Sequence, residues 1–562
     1  MAGEQLWTRW TENARRAPER EAIVHWVAGE EPFRWRWGDL VAQAARFSRA
    51  LADAGVRPGD VCATILRHHR AFYPLYMGIS GAGAIASVLA YPNPRLHPSK
   101  FVQGLSGMAR RSGLRWILTE RALEQQVRPL VEAPGSTVQG VLFPLERDLG
   151  GGGAAAPAAA RPGADPHLPC LLQHSSGTTG LQKAVVLSHA AVLEHVRDYA
   201  AAIGLGPEDR IASWLPLYHD MGLIAAFQLP LACAVPVVTL DPFEWISAPV
   251  LLLEAISRER ATLSWLPNFA YNLLADRVHD EDLEGLRLDS VRLLVNCSEP
   301  VRADSHARML ARYAPRGLRP ETLGACYAMA ETTFAVTQTA PSRPARVVEV
   351  DRDALARGEA APPRDPERAR TCVSSGTPIP GCEVEVVADD GRPLRDGRVG
   401  ELVVASRSLF DGYRNLPDET AAVLSNGRYR TGDLGFRVER EVFVVGRKKD
   451  VIIVAGKNLY PEDVEDAVSA VEGVLPGRVV ALGVADEALG TEQVWVVAES
   501  ERHGTAAADA LRTAIQLAGM AIDVTIARVL VAPPRWLIKS SAGKPSRKAN
   551  RERVLAGELD VP

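Results

Sequence analysis

The sequence predicts an α/β protein with a large N-terminal region and a small, compact C-terminal unit. Three observations carry this. Short apolar runs alternate with amphipathic helical stretches through most of the chain, the pattern of layered α/β folds. At 562 residues the chain is too long for one small core, so two or more domains are expected. After 441-EVFVV-445 and 446-GRKKD-450 the chain restarts with VIIVAG and a helix near Pro461, where proline suits a first helical turn. The predicted division is therefore 1–448 and 449–562.

Taken in order, the N-terminal stretch MAGEQLWTRWTENARRAPER carries charges throughout and has no apolar signal core. Residues 40–54 read as a helix with Leu40, Ala44, Phe47 and Leu51 on one face. The uncharged runs 71–94 and 221–240 are long enough to span a bilayer. Gly, Pro, Ser or Gln interrupt both, and each ends in a strand-like run, so each is read as a buried helix followed by a buried strand. The Gly/Ala/Pro cluster at 149–165 reads as a flexible surface insertion inside one large domain. Residues 170–174 and 184–187 read as strands, followed by a helix that Ser188 caps and that carries Val192, Val196, Tyr199 and Ile203 on one face. No solenoid-type repeat is visible.

Composition narrows the function. Hydrophobic residues at 47% and charged residues at 23% describe an ordinary soluble protein. A net charge of -4 lacks the basic footprint of a nucleic-acid partner. The seven cysteines are scattered, with no CxxC pair and no nearby histidine cluster. Such a set predicts reduced thiols in a cytosol with no zinc site, and the interrupted runs and charged N-terminal stretch predict a cytoplasmic protein with no membrane span.

The chemistry concentrates in 174-HSSGTTGLQKAVVLSH-189. A Walker loop requires GxxxxGK[ST] and leads directly into a helix; this loop lacks that spacing and joins two strands. Its composition nevertheless suits phosphate. Ser175, Ser176, Thr178 and Thr179 supply hydroxyls, Gly177 and Gly180 allow close backbone approach, and Lys183 supplies charge. Taken alone, the same residues equally describe a polar hairpin tip.

Five further segments accompany it: 213-SWLPLYHDMGLI-224, 327-YAMAETT-333, 429-YRTGDLG-435, 446-GRKKD-450 and 540-SSAGK-544. Together, in this order, they resemble the adenylate-forming superfamily of acyl-CoA synthetases, fatty acyl-AMP ligases and adenylation domains. The resemblance implies a multi-subdomain N-terminal α/β domain with a small mobile α+β C-terminal domain. It also implies ATP-dependent conversion of a carboxylic acid to an acyl-adenylate with release of pyrophosphate, followed by transfer to a thiol acceptor. ATP and Mg2+ would be required, with CoA or a phosphopantetheinyl carrier protein as acceptor, and an acyl carrier protein or downstream acyltransferase as partner.

Residue by residue, the resemblance makes the 175–183 loop the grip on the β- and γ-phosphates. Glu331 becomes the magnesium-binding acid, Thr332 a phosphate-contacting hydroxyl and Tyr327 the ring stacked on adenine. Asp433 would accept from the ribose hydroxyls, with Arg447 near ribose and phosphate, and 296–300 (NCSEP) would line the adenine pocket. Lys544 would bridge the carboxylate and the α-phosphate, where a cation between two anions lowers the barrier. Lys449 marks the hinge about which the small domain rotates.

SWLPLYHDMGLI and the segment 349–381 resemble fatty acyl-AMP ligases more than ordinary acyl-CoA synthetases. Many such ligases have glycines where Trp265 and Leu266 stand, so an indole there would shorten or reshape an acyl tunnel. Packing into the core is the alternative role for Trp265. His219 is a further acyl-pocket candidate. A complete acyl-CoA synthetase and a non-catalytic acyl-AMP-binding protein remain as competing functions.

Overall fold

The structure is a computed structural model that describes residues 4–92, 98–146, 165–174, 182–454, 457–486, 491–502, 505–539 and 545–559. Ser175, Ser176, Gly177, Thr178, Thr179, Gly180 and Lys544 lie outside the described residues, as do positions 149–164 of the expected insertion.

Two large sheets form the body of the N-terminal domain. One has six strands, in the order Gly140–Leu142, Leu114–Thr119, Val61–Ile65, Ile85–Val88, Pro169–His174, Ala184–Ser188. The other has nine, and its parallel centre runs from Leu323–Ala328 through Leu293–Asn296, Leu263–Leu266, Ile211–Ser213 and Val237–Thr239 to Glu21–His25. Strands Val61–Ile65 and Ile85–Val88, paired parallel, are buried at every position, as parallel strands covered on both faces must be. Their apolar runs in the sequence follow from that covering.

The two ambiguous apolar runs resolve as helix then strand. The first gives the buried helix Phe72–Gly81 and strand Ile85–Val88. The second gives the π-helical turn Met221–Gln228, the short helix Leu229–Cys233 and strand Val237–Thr239. No helix among the described residues is long and apolar enough to cross a membrane. Helix His189–Ala202 begins where the sequence places it, with the Ser188 hydroxyl accepting from the Ala191 N–H.

An antiparallel sheet follows, built from Cys382–Val387, Gly400–Ser406, Arg428–Val438, Leu424–Ser425 and Glu441–Arg447. Residues 349–381 lie beside it, with strands Val347–Asp351 and Ala369–Val373 paired to each other. The smaller C-terminal domain carries helix Pro461–Ser469, the three-stranded sheet Val479–Asp486, Thr491–Glu499, Ile526–Ala532, and helices Thr505–Met520 and Arg547–Leu555. Its apolar centre, around Val464, Val496 and Ile515, is separate from the N-terminal core. All seven cysteines are free thiols.

Candidate active site

A cavity of about 820 Å3 opens where the two large sheets, the antiparallel sheet and the turn Lys448–Asp450 converge. Three groups of side chains define its chemistry.

The first group follows from strand register. Strand Arg428–Val438 pairs antiparallel with Glu441–Arg447 so that Asp433 stands opposite Arg447. Gly432 precedes it at φ +71°, with no neighbour within reach of a Cβ, so the glycine is required for the backbone turn itself. Asp433 Oδ1 accepts from Arg447 Nε at 3.1 Å, and Oδ2 accepts from the Tyr327 hydroxyl at 2.6 Å. The Asp433 carboxylate holds the Arg447 guanidinium above its ordinary range, while burial, then Asp433 itself, pushes the Tyr327 phenol well up. Tyr327 therefore stays a neutral donor.

The second group surrounds Glu331. Strand Leu323–Ala328 leads into the short turn Ala330–Thr332, which ends at Thr333 with φ +69°, an uncommon conformation for a β-branched residue. The Thr333 hydroxyl donates to Ser408 O at 2.8 Å, holding the strained residue in place. Glu331 Oε1 accepts from the Tyr413 hydroxyl at 2.8 Å. Lys183 Nζ lies 4.5 Å from the centre of the Tyr413 ring and 2.7 Å from Glu419 Oε2. Tyr413 thus ties Lys183 to Glu331.

The third group is apolar. Trp214, Phe243, Ile246 and Phe269 form one flank, next to Met221 and His219. Trp214 stacks on buried Trp245 at 3.6 Å and 7°. Phe243 and Ile246, both on helix Pro242–Ser247, are each 51% exposed, an unusual outlay of apolar surface for one short helix.

Lys183, Glu331, Asp433, Arg447, Lys449 and His219 all line this one cavity. Burial, with the Arg447 charge beside it, lowers the Lys449 ammonium below its ordinary range. Ser298 and Glu299 of the 296–300 segment also line it, while Asn296 is fully buried and donates to Asn268 Oδ1 at 3.0 Å. Three expected positions lie beside the cavity rather than on its wall, the first being Tyr327, which reaches it through its hydrogen bond to Asp433. Thr332 is fully buried, its hydroxyl within 2.9 Å of Phe334 O and 3.1 Å of Met329 O. Trp265 is fully buried and donates from Nε1 to the Tyr199 hydroxyl at 2.7 Å, a core position with a satisfied indole.

Sequence reasoning missed Tyr413, Glu419 and the apolar flank. Tyr413 reaches Glu331 only through the fold and carries no local signal. Phe243 and Ile246 did leave one: Asp241 caps their helix, and apolar residues three apart mark one exposed face.

A family model described as AMP-binding enzyme matches residues 10–414. The long-chain-fatty-acid–AMP ligase FadD26 of Mycobacterium marinum is 30% identical, over 93% of this chain and 92% of that protein. The medium-chain-fatty-acid–[acyl-carrier-protein] ligase JamA of Moorena producens is 33% identical, over 69% of this chain and 68% of that protein. Among solved structures, one from a study of fatty acyl-adenylate ligases from E. coli and L. pneumophila superposes with a TM-score of 0.90 at 25% identity, covering 99% of this chain and 98% of the other.

Proposed function

The chain belongs to the AMP-binding enzyme family, and from that premise we propose that it condenses a carboxylic acid with ATP to give acyl-AMP and pyrophosphate, then passes the acyl group to a thiol. The observation that carries this is the convergence of Tyr327–Asp433–Arg447 and Lys183–Tyr413–Glu331 on one cavity with an apolar flank. A nucleoside, its phosphates and an acyl chain need those three environments side by side.

In this reading Asp433 receives the ribose hydroxyls and Arg447 orients it. Tyr327 offers its ring to adenine and its hydroxyl to Asp433. Lys183, together with Ser175, Ser176, Gly177, Thr178, Thr179 and Gly180, holds the β- and γ-phosphates; Thr332, its hydroxyl turned to the Met329 and Phe334 carbonyls, braces the turn that presents Glu331. The carboxylate oxygen attacks the α-phosphorus, a P–O bond forms, and the bond to pyrophosphate breaks with its electron pair leaving on the pyrophosphate oxygen. Positioning and charge neutralisation supply most of the rate. Lys544 delivers the cation between the two anions.

Magnesium fits Glu331. A hard cation that keeps waters and substrate phosphates needs only one or two protein carboxylates, and Glu331 supplies one, held in place by Tyr413. When bound, the ion would neutralise phosphate charge; the residues around it orient and exclude.

The division at 448/449 serves transfer. Lys449, in the turn Lys448–Asp450 between the antiparallel sheet and the C-terminal domain, is the proposed hinge. Rotation there would withdraw Lys544 and admit the thiol. A phosphopantetheinyl carrier protein is the proposed acceptor, supported by the likeness to JamA, an acyl-carrier-protein ligase. His219 and the Trp214 flank would receive the acyl chain, and Trp265 would back that wall from the core.

Acid-dependent hydroxylamine trapping of the adenylate, with pyrophosphate release, tests the first step. A pure, folded protein inactive on a broad acid panel would sink it. Comparing CoA with carrier protein as acceptor then separates the transfer to carrier from a complete acyl-CoA synthetase.

A further inference from the structure

A second, smaller cavity of about 80 Å3 abuts the first, and Leu215, Pro216, Tyr218, Pro242 and Phe243 line both. Its remaining lining is largely apolar, with Leu66, Phe72, Val88 and Leu217, and carries a polar group formed by His68, His69, Tyr73, Thr239 and Asp241. Its size suits a terminal group of a few heavy atoms.

Backbone carbonyls fix where the protons of that wall lie. Thr239 Oγ1 donates its single proton to Val24 O at 3.2 Å. Tyr73, 2.6 Å away, must then donate to Thr239 Oγ1. Tyr73 in turn accepts from His25 Nδ1 at 3.1 Å. His68 Nε2 faces Trp26 O at 3.2 Å, and a carbonyl only accepts, so the proton of this ring sits on Nε2. The His68 Nδ1 lone pair is left without a partner among the described residues. His69 is the complement: its Nδ1 accepts from Ala71 N at 3.1 Å, so its Nε2 carries the proton.

His25 and His68 stack at 4.1 Å, and two stacked imidazoles resist double protonation. Burial lowers His25 to about 3 and His68 to about 4, so both rings are neutral acceptor–donor groups near pH 7. The lining carries one carboxylate, Asp241, and one guanidinium, Arg67. Asp241 Oδ1 accepts from Phe243 N at 2.6 Å and Glu244 N at 3.3 Å, and the Arg67 guanidinium lies over the Tyr91 ring at 4.8 Å. An anion would meet the Asp241 carboxylate. His68 Nδ1 as an acceptor and His69 Nε2 as a donor are the complement of a neutral hydroxyl, which donates once and accepts.

We propose that the acid activated by this chain carries a hydroxyl at the end remote from its carboxyl group, received in this annex by His68 as acceptor. The proposal rests on the adenylating reading above and names its substrate class: ω-hydroxy or para-hydroxyphenyl acids, in preference to plain alkyl acids or dicarboxylates. His68 is a specificity residue and takes no part in phosphoryl chemistry.

The test measures hydroxylamine-trapped adenylate with the full chain. Acids are matched in length, straight-chain or phenyl-terminated, and bear hydrogen, hydroxyl or carboxyl at the far end. We expect kcat/KM for the best hydroxy acid to exceed its unsubstituted partner by about tenfold or more, the worth of one good hydrogen bond. His68→Phe should erase the preference while turnover of the unsubstituted acid persists, which also shows that the variant is folded. His68→Gln, whose amide oxygen still accepts, should keep part of it. Equal use of the pair, a preference for the dicarboxylate, or a preference that survives His68→Phe would overturn the proposal and leave adenylation standing. No adenylate from any acid would instead overturn the adenylating reading, and this inference with it.

Discussion

In the N-terminal domain Trp10, Trp37, Trp245 and Trp265 are all fully buried in one continuous apolar core. The seam between the two domains is crossed mainly by charge. Arg302 pairs with Asp466, Arg370 with Asp463 at 2.8 Å, Arg368 with Asp523 at 3.4 Å and Lys457 with Asp353 at 3.5 Å. Tyr460 is the aromatic that reaches across, packing with Val350 and Phe436. Apolar packing is cooperative and short-ranged, so it fixes one arrangement. The solvated pairs among these contribute little individually and exchange for water at small cost, while the largely buried Arg370–Asp463 pair is the costlier one to open. The difference suggests a rigid body that holds substrates and a detachable one that supplies a reagent.

The strongest challenge to that contrast is Lys544→Ala. If the C-terminal domain contributes catalysis and little stability, adenylation should fall by roughly 100- to 1000-fold, the usual loss for a charge acting on a transition state. The unfolding midpoint of the N-terminal domain should not move. Retained adenylate formation in hydroxylamine trapping would break the assignment.

Trp265→Ala attacks the other side of the comparison. Removing this buried indole, which also donates to Tyr199, should cost about 3–5 kcal/mol in denaturant unfolding. A variant losing substrate range with unchanged stability would instead make Trp265 part of the acyl wall.

Asp433→Asn leaves Arg447 and Tyr327 with a neutral partner. We expect KM for ATP to rise by about tenfold, with a smaller change in KM for the acid. Equal changes in both would place Asp433 outside the nucleotide site.

Mild acid should separate the two regions by sign. His195 is buried, its Nε2 accepts from Ala335 N at 3.2 Å, and burial lowers it from the ordinary 6.5 to about 3. The unfolded chain then binds the extra proton first, so this contribution to core stability is complete above about pH 6.5 and declines as pH falls towards 3. At the seam, burial outweighs Arg302 and raises Asp466 to about 6, so the folded form holds the proton there and the seam weakens as pH rises from about 4 to 6. Thermal melts of wild type and His195→Asn across pH 4–7 should show the variant with the flatter acid limb. An identical limb would remove His195 from the account.

The smallest effect belongs to Arg302→Ala. Stability should change by less than about 1 kcal/mol, while the ratio of thioester formation to adenylation shifts. A fixed ratio would argue that this seam does not open during transfer.

Much of this was legible before folding, for local reasons. Helix His189–Ala202 announced itself through Ser188 and an apolar face, and both bilayer-length runs read correctly because glycine and proline divide helix from strand. Lys183, Glu331, Asp433 and Arg447 were each visible because contiguous motif residues flank them. Tyr413 was not, because its meaning lies in a contact with Glu331 that no spacing encodes. Thr332 shows the converse. Its motif marks the position, but the tight turn directs its hydroxyl to the carbonyls of Met329 and Phe334.

The segment that carries Tyr413 also closes the six-stranded sheet. Along the outer edge of strand Ala184–Ser188, Val186 N donates to Gly412 O at 3.0 Å, Asp411 N to Val186 O at 3.0 Å and Arg414 N to Ala184 O at 2.8 Å. During synthesis that edge is complete only once residues 411–414 emerge, long after the strand itself. Until then it presents unpaired amides and carbonyls, the template on which strands of other chains can add. A nascent chain stalled before residue 411 would be the aggregation-prone species, and a chaperone that shields that edge would matter most in this interval.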